Sequence, residues 1–280
     1  MASPANWHPD PTGRHQLRYW DGNGWTDHVS TNGLSGVDPM PAIAPNADVQ
    51  TTGVNIRMTA EQIQKQVGIG GIGGAGISTV SQGGGTIFTE PVLVVNQKAK
   101  LIEVTNQYAV FSAQGQQIGS VNEVGQSKAK KVLRVVSNLD QFMTHTLEVR
   151  DPNGMVLMVL TRPRKFMKST VIVADARGQE LGKIVQENMV GKIHFGLEVN
   201  GQAVGSLKAE NWRAWNFRIE DNSGTEVARI TKTFAGLAKA MFTDADNYVV
   251  QLHGLIPQPL LNLVIASALS VDTALKQDSR

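Results

Sequence analysis

From Thr86 onward, apolar and polar residues alternate with a period of two, in short runs separated by polar turns. This alternation predicts β-strands with one buried face and one exposed face. Glycines at 154, 178, 201 and 224 lie in turns that are 24, 23 and 23 residues apart, a spacing typical of an antiparallel meander. The twelve runs are Ile87–Val95, Tyr108–Ala113, Gln117–Val124, Thr146–Arg150, Met155–Leu160, Thr170–Ala174, Glu180–Gln186, His194–Val199, Ala203–Lys208, Asn216–Glu220, Glu226–Thr231 and Tyr248–Leu252. Residues 125–145 are compatible with a strand or a short helix.

Residues 260–271 are different, because apolar side chains occur on every side of the helix that they would form. A helix that is apolar all round is buried, either in a protein core or in a membrane. Twelve residues fall short of the ~20 that cross a bilayer, so the length favours a core helix over a membrane-inserting one. The residues expected to be buried are Leu260, Leu261, Leu263, Val264, Ile265 and Leu269.

The number of strands and the apolar helix predict the same architecture. A barrel of about eight strands is filled by its own side chains, and a helix is about 10–12 Å across. Enclosing a helix therefore requires more strands, and twelve are in the right range. We expect a mostly β fold: a closed antiparallel β-barrel of about 12 strands around a C-terminal apolar helix, over residues 86–275.

The first 85 residues have another character. Residues 5–30 contain three of the five tryptophans and several turn-forming Gly and Asp residues, which predicts a small Trp-rich hairpin module. Its aromatic residues either pack on one another or bind a protein partner; the partner-binding candidates are Trp7, Tyr19, Trp20 and Trp25. Residues 31–85 read as a flexible Pro/Gly-rich linker with one short helix, which begins at the capping-box pair Thr59 and Gln62 and runs to about Val67. The glycines that follow match GxGxxG but lack the strand–turn–helix context of a dinucleotide site.

The segment from Phe242 to Leu252, with Asp244 and Asp246 in its centre and the apolar helix after it, resembles the end of the phospholipid scramblase family. The resemblance extends back to about residue 86. It implies a barrel related to the tubby C-terminal domain and an ATP-independent movement of phospholipids between leaflets. Residues 5–30 resemble a short actinobacterial domain of unknown function that precedes many membrane-associated proteins.

The same resemblance implies a weak calcium site. Asp244 and Asp246 occupy the first and third positions of a proposed calcium loop, but Val249 and Leu255 stand where an EF-hand has glycine and a bidentate glutamate. The other interpretation is that Thr243 or Asp244 caps a turn and that Asn247 begins a strand. No cofactor is certain from the sequence, and calcium is the candidate.

The charge and the residue types of the chain restrict the classes of function that it can have. Residues 1–85 carry four Lys or Arg against six Asp or Glu, and the remainder carries 22 against 18. This mild positive balance suits an anionic phospholipid surface and not nucleic acid, which requires a concentrated basic stripe. The six histidines are scattered and no nucleophile motif is present, so we expect no enzyme. The candidates for binding lipid headgroups are Lys128, Lys130, Lys131, Arg134, Arg162, Arg164, Lys165 and Lys168.

The protein has no cysteine, so it lacks the palmitoylation sites of many scramblase relatives. The N-terminal residues do not form a signal peptide. We therefore expect a cytoplasmic protein that is peripheral on the inner face of the plasma membrane. The alternative function is a non-enzymatic adaptor, in which the barrel binds lipid or protein and the N-terminal module recruits a partner.

Overall fold

In the residues that it describes, the computed structural model of the chain contains two β-structures and two helices. It describes residues 5–10, 13–21, 25–38, 58–68, 74–81, 83–97, 107–124, 144–164, 169–188, 193–210, 216–233 and 247–275. The first β-structure is a small N-terminal sheet with the strand order β1-β2-β3-β4. Its strands are β1 (Asn6–Pro9), β2 (Leu17–Trp20), β3 (Trp25–Thr31) and β4 (Leu34–Val37).

A buried arginine holds this N-terminal sheet together. The Arg18 side chain is fully buried, and its Nε donates to Asp10 Oδ1 at 2.8 Å. Its terminal nitrogens donate to the Thr26 carbonyl at 2.9 Å, to the Asp38 carbonyl at 2.7 Å and to Asp38 Oδ2 at 3.2 Å. Too few apolar residues are present in so short a module for a large core, and Arg18 takes the central position instead.

The second β-structure is the predicted barrel, which is confirmed as a closed antiparallel barrel of twelve strands. Each strand pairs with its neighbours in sequence, and the last strand closes on the first through pairs such as Val249 with Val94. The strands are β5 (Val92–Gln97), β6 (Gln107–Ser112), β7 (Gln117–Val124), β8 (His145–Arg150), β9 (Val156–Arg162), β10 (Thr170–Asp175), β11 (Glu180–Gln186), β12 (His194–Val199), β13 (Gln202–Ala209), β14 (Asn216–Asp221), β15 (Glu226–Thr233) and β16 (Asn247–Leu252).

Tight turns join alternate strands at one end of the barrel, which we call the turn end. Gly154, Gly178, Gly201 and Gly224 each have a positive φ in these turns, which an L side chain rarely adopts. In the turn after β10, Asp175 Oδ1 accepts hydrogen bonds from the backbone amides two and four residues later. The repeat of 23 or 24 residues is therefore one hairpin with its turn. We call the opposite end, where β9 ends and β10 begins, the loop end.

The second helix, α2 (Leu260–Leu275), lies inside the barrel. All six apolar residues predicted to be buried in this helix are at most 6% exposed. The helix approaches the barrel wall closely where the wall has glycine: a Cβ on Gly182 or Gly205 would lie 3.1 or 3.2 Å from the side chains of Leu263 or Leu260. Each fully buried leucine contributes about 1.5–3 kcal/mol, so α2 is a large part of the core.

The first helix, α1 (Ala60–Val67), packs on the outside of the barrel. The predicted capping box is present: the Gln62 backbone amide donates to Thr59 Oγ1, and the Thr59 amide donates to the Gln62 side chain. The buried residues Ile63 and Val67 cover outward-facing apolar residues of β5, β6 and β16, namely Val92, Val94, Ala109, Phe111 and Val249. This helix is therefore attached to the barrel and is not a free part of a linker.

Three boundaries differ from the sequence-based prediction by four residues or more. The first barrel strand begins at Val92 and not at Ile87, because the Thr86 carbonyl accepts hydrogen bonds from two later amides and forms a turn there. The C-terminal helix extends to Leu275. The N-terminal module continues past residue 30 through β4, which was expected to be linker.

Candidate functional site

Polar side chains form an arc inside the barrel near the loop end. Each lies two residues from an inward-facing apolar residue on the same chain segment, so each points into the interior. His145 Nδ1 lies 2.6 Å from Glu123 Oε1, and the Ser169 amide donates to Gln186 Oε1 at 3.0 Å. The arc runs across the neighbouring strands β7 to β11, with one residue from each strand or from directly before it. All of its members are at most 8% exposed: Glu123, His145, Arg162, Ser169 and Gln186.

The interior arc was not predicted from the sequence. The available signal was a polar residue at a position where the alternation requires an apolar one, as at Glu123 two residues after Val121. Buried ionisable groups are tolerated only when they are paired or hydrogen-bonded, which the contact between Glu123 and His145 provides. The arc ends the aliphatic core at the loop end.

The predicted headgroup residues are separated by the fold. Arg162 is the last residue of β9 and is 5% exposed inside the barrel, so its side chain does not reach a membrane surface. Arg164 follows two residues later at the loop end and is exposed. The other six residues lie outside the described ranges: Lys128, Lys130, Lys131, Arg134, Lys165 and Lys168.

The calcium candidates Asp244 and Asp246 also lie outside the described ranges. Among the residues that the structure describes, no group of three or more His, Asp or Glu side chains could hold a metal ion. Within those same ranges, no helix has both the length and the apolar character that a membrane-spanning helix requires.

The aromatic residues of the N-terminal module pack in two groups. The Trp7 and Tyr19 rings meet edge to face on one side of the sheet, with centroids 5.4 Å apart. Trp25 packs edge to face against Trp20 at 5.4 Å and against His8 at 6.1 Å on the other side. Such pairs contribute about 0.5–1.5 kcal/mol beyond their burial, so these residues stabilise the module. Trp7, the most exposed, presents 36% of its surface.

The module lies against the turn end of the barrel, where α2 enters. Asn262 Nδ2 donates to the Gly13 carbonyl at 3.4 Å, and Gln16 Nε2 donates to the Gln258 carbonyl at 3.2 Å. Gly13 allows this approach, because a Cβ there would lie 2.5 Å from the ring of Phe88. A cavity of about 240 Å³ remains between the two parts, lined mainly by apolar residues such as Leu17 and Ile256.

Glu90 is a buried carboxyl group in the segment that precedes β5. It is 4% exposed and accepts one hydrogen bond, from the Gly85 amide to Oε1 at 2.8 Å. Burial raises the pKa of Glu90 above its usual value, and the Gly85 hydrogen bond offsets only part of this effect. The charged form is therefore less stable in the folded protein than in the unfolded chain.

We expect Glu90→Gln to stabilise the protein at neutral pH. The pKa of Glu90 is higher in the folded state than in the unfolded state. Between these two pKa values the folded state therefore binds more protons than the unfolded state does. The free energy of unfolding of the wild type consequently rises as the pH falls through this range. The difference in free energy of unfolding between Glu90→Gln and the wild type is then largest above the folded-state pKa. It disappears below about pH 4, near the pKa of glutamate in the unfolded chain. Urea unfolding of both proteins across this pH range measures it. A constant difference at every pH would contradict the raised pKa.

Two protein families match the sequence. The model of the scramblase family matches residues 77–275, which include α2 and the whole barrel. The model of a protein family of unknown function, DUF2510, matches residues 5–42, which include the N-terminal sheet with β4.

Individual relatives are distant. A phospholipid scramblase family protein of Schizosaccharomyces pombe is 22% identical over 184 residues, which cover 59% of this chain and 47% of the relative. Altered inheritance rate of mitochondria protein 25 of Saccharomyces cerevisiae is 24% identical over 205 residues, which cover 59% of each protein. The chain thus spans about half to three fifths of these relatives. A solved Arabidopsis thaliana structure matches with a TM-score of 0.38 and 11% identity, covering 65% of this chain and 93% of that one.

Proposed function

Because the chain belongs to the scramblase family, we propose that it acts on phospholipid membranes and moves phospholipids between leaflets without ATP. The observation that carries this proposal is the family match over residues 77–275, which spans the barrel and its enclosed helix. The activity is non-enzymatic in the sense that no covalent bond changes. We place the protein at the cytoplasmic face of the plasma membrane, with calcium at Asp244 and Asp246 as a candidate regulator.

The enclosed helix restricts how such an activity can work. The interior of the barrel is occupied by α2, whose residues Leu263, Val264 and Ile265 are fully buried. A phospholipid headgroup therefore has no polar path through the barrel axis while α2 is in place. The lipids would move along the outer surface of the barrel, with headgroups near its charged side chains.

We propose that the loop end faces the membrane. Arg164 is exposed there. At the turn end, the side chain of Arg177 is 73% exposed and lies near Asp38 of the N-terminal module. Each arginine near an anionic surface contributes about 1 kcal/mol, so the two ends are distinguishable by substitution.

The first test is co-sedimentation of the full chain with anionic and neutral phospholipid vesicles, with and without calcium. We expect recovery with the anionic vesicles and an approximately five-fold weaker association for Arg164→Gln, as the loss of ~1 kcal/mol requires. Arg177→Gln removes an equal charge at the turn end and is the matched control, with binding unchanged. Equal effects of the two substitutions would contradict the proposed orientation.

Lipid movement itself is tested in proteoliposomes with fluorescent phospholipid in both leaflets and a quencher that cannot cross the bilayer. We expect quenching to continue beyond the outer leaflet only when the protein is present. If the protein binds no vesicles and moves no lipid, the adaptor function replaces the proposal. The contact between the N-terminal module and the barrel favours that second candidate, because it fixes a possible partner-binding domain to the barrel.

A further inference from the structure

One edge of the N-terminal sheet is an exposed strand. In the strand order β1-β2-β3-β4, the last strand has, among the residues that the structure describes, a strand partner only on the β3 side. All four residues of β4 are exposed, and the two apolar ones, Leu34 and Val37, are 78% and 69% exposed. Exposed apolar residues on an edge strand are uncommon, because such an edge is a template for another strand.

The turn before β4 determines which backbone groups are available. Asn32 and Gly33 have φ values of 52° and 77°, so they form the two-residue turn that favours a tight hairpin. In such a hairpin the residues next to the turn, Thr31 and Leu34, exchange both hydrogen bonds, and hydrogen-bonded pairs then alternate along the strand. Leu34 and Gly36 therefore bond to β3.

The backbone amides and carbonyls of Ser35 and Val37 consequently point away from the sheet. In the described part of the chain, no backbone hydrogen bond outside the sheets involves either residue. These groups are spaced by two residues, which is the spacing that a further antiparallel or parallel strand requires. The edge thus offers up to four backbone hydrogen bonds.

The opposite edge of the sheet is protected and β4 is not. β1 ends at Pro9, and a proline on an edge strand prevents a further strand from pairing. β4 contains no proline and no charged residue, and its register with β3 has no bulge. The two edges therefore differ in the features by which proteins block added strands.

We propose that β4 binds an extended peptide segment of a partner protein as a fifth strand. A second copy of this chain fits less well, because two paired four-residue strands bury far less than the ~1,000 Å² that a stable dimer needs. The charge indicates the class of segment. Residues 5–42 contain two arginines and four aspartates, so an apolar, β-branched segment with basic flanks complements the module. This inference does not depend on the lipid activity.

The test measures amide hydrogen exchange at β4 by NMR on the full chain. The probe is a synthetic hexapeptide of alternating threonine and valine with a lysine at each end. In the free protein we expect fast exchange at Ser35 and Val37 and slow exchange at Leu34 and Gly36. Saturation with the peptide should slow exchange at Ser35 and Val37 by about ten-fold or more, since both amides enter a ladder. The same peptide with alternate amides methylated is the control and should not protect them.

Two substitutions at one position separate strand addition from other contacts. Ser35→Pro removes an amide that β3 does not use, so the sheet should persist while peptide affinity falls by about ten-fold. Ser35→Ala keeps the amide and should bind as the wild type does. Should Ser35→Pro disturb the sheet, Val37→Lys provides a second test, because a charged edge also opposes strand addition.

Several results would overturn the proposal. Slow exchange at Ser35 and Val37 in the dilute free protein would mean that the edge is already covered by the chain itself. Protection that depends on protein concentration would assign the edge to a second copy. Peptide binding that is unchanged in both Ser35→Pro and Val37→Lys, or that perturbs only the Trp7 and Tyr19 rings, would place the binding site elsewhere.

Discussion

Val264→Asp is expected to unfold the barrel and not merely to weaken membrane association. Val264 is fully buried in α2, which lies inside a closed sheet, and it belongs to the apolar core cluster there. An unpaired carboxylate at such a position costs several kcal/mol, and the lost valine contacts add more. Because the total stability of a protein is on the order of 5–15 kcal/mol, this one change removes much of it. Urea unfolding followed by circular dichroism measures the loss.

The control for this substitution is Leu255→Asp, five residues before α2 begins. Leu255 is 85% exposed, so the same change from an apolar to an acidic side chain should alter stability by less than about 0.5 kcal/mol. A Val264→Asp protein with wild-type stability that no longer associates with vesicles would contradict the enclosed position of α2. It would instead support the membrane-inserting helix that the sequence left open.

The barrel was predictable because its sequence signals are local. β7, β11 and β12 have the bounds that the alternation predicted. Their turns carry glycines that need a positive φ, such as Gly178, and the chain pairs almost entirely with its sequence neighbours. Predicting a meander of this kind requires no information about contacts between distant parts of the chain. The period of the apolar residues and the residues of the turns are sufficient to predict the order of the strands.

The N-terminal module was less predictable, because its organising residue is charged. Arginine is rarely fully buried, and nothing in the spacing of Arg18 and Asp10 distinguishes them from surface residues. The fourth strand was missed because it is short and contains Gly36, although the Asn32–Gly33 turn before it was a strong hairpin signal.

Contacts between distant residues were not predictable from one sequence. The hydrogen bond from Asn262 to the Gly13 carbonyl joins residues 249 positions apart, and no periodicity indicates it. The interior arc is similar, because the pair of Glu123 and His145 becomes visible only when the strand register is known. Such contacts determine where the module lies and where the aliphatic core ends.

Arg18→Met is expected to unfold the N-terminal module while the barrel stays folded. The substitution leaves Asp10 buried without its guanidinium and removes the donors to the Thr26 and Asp38 carbonyls. Breaking a buried ion pair by removing one partner costs about 3–5 kcal/mol, more than a 38-residue segment with a minimal core can tolerate. Hydrogen exchange measured by mass spectrometry should show lost protection in β2 and β3 and unchanged protection in β6–β13.

The controls for Arg18→Met are a substitution of a surface arginine and a double substitution. Arg177 lies 3.8 Å from Asp38 Oδ1 with its side chain 73% exposed, so Arg177→Met removes a charge near the same aspartate without uncovering a buried group. It should leave exchange in β2 and β3 unchanged. Adding Asp10→Asn to Arg18→Met removes the uncompensated carboxylate and should restore part of the protection, because the two residues are coupled. If Arg18→Met alone leaves the module protected, the buried ion pair does not hold the sheet together, and its stability comes from the aromatic pairs.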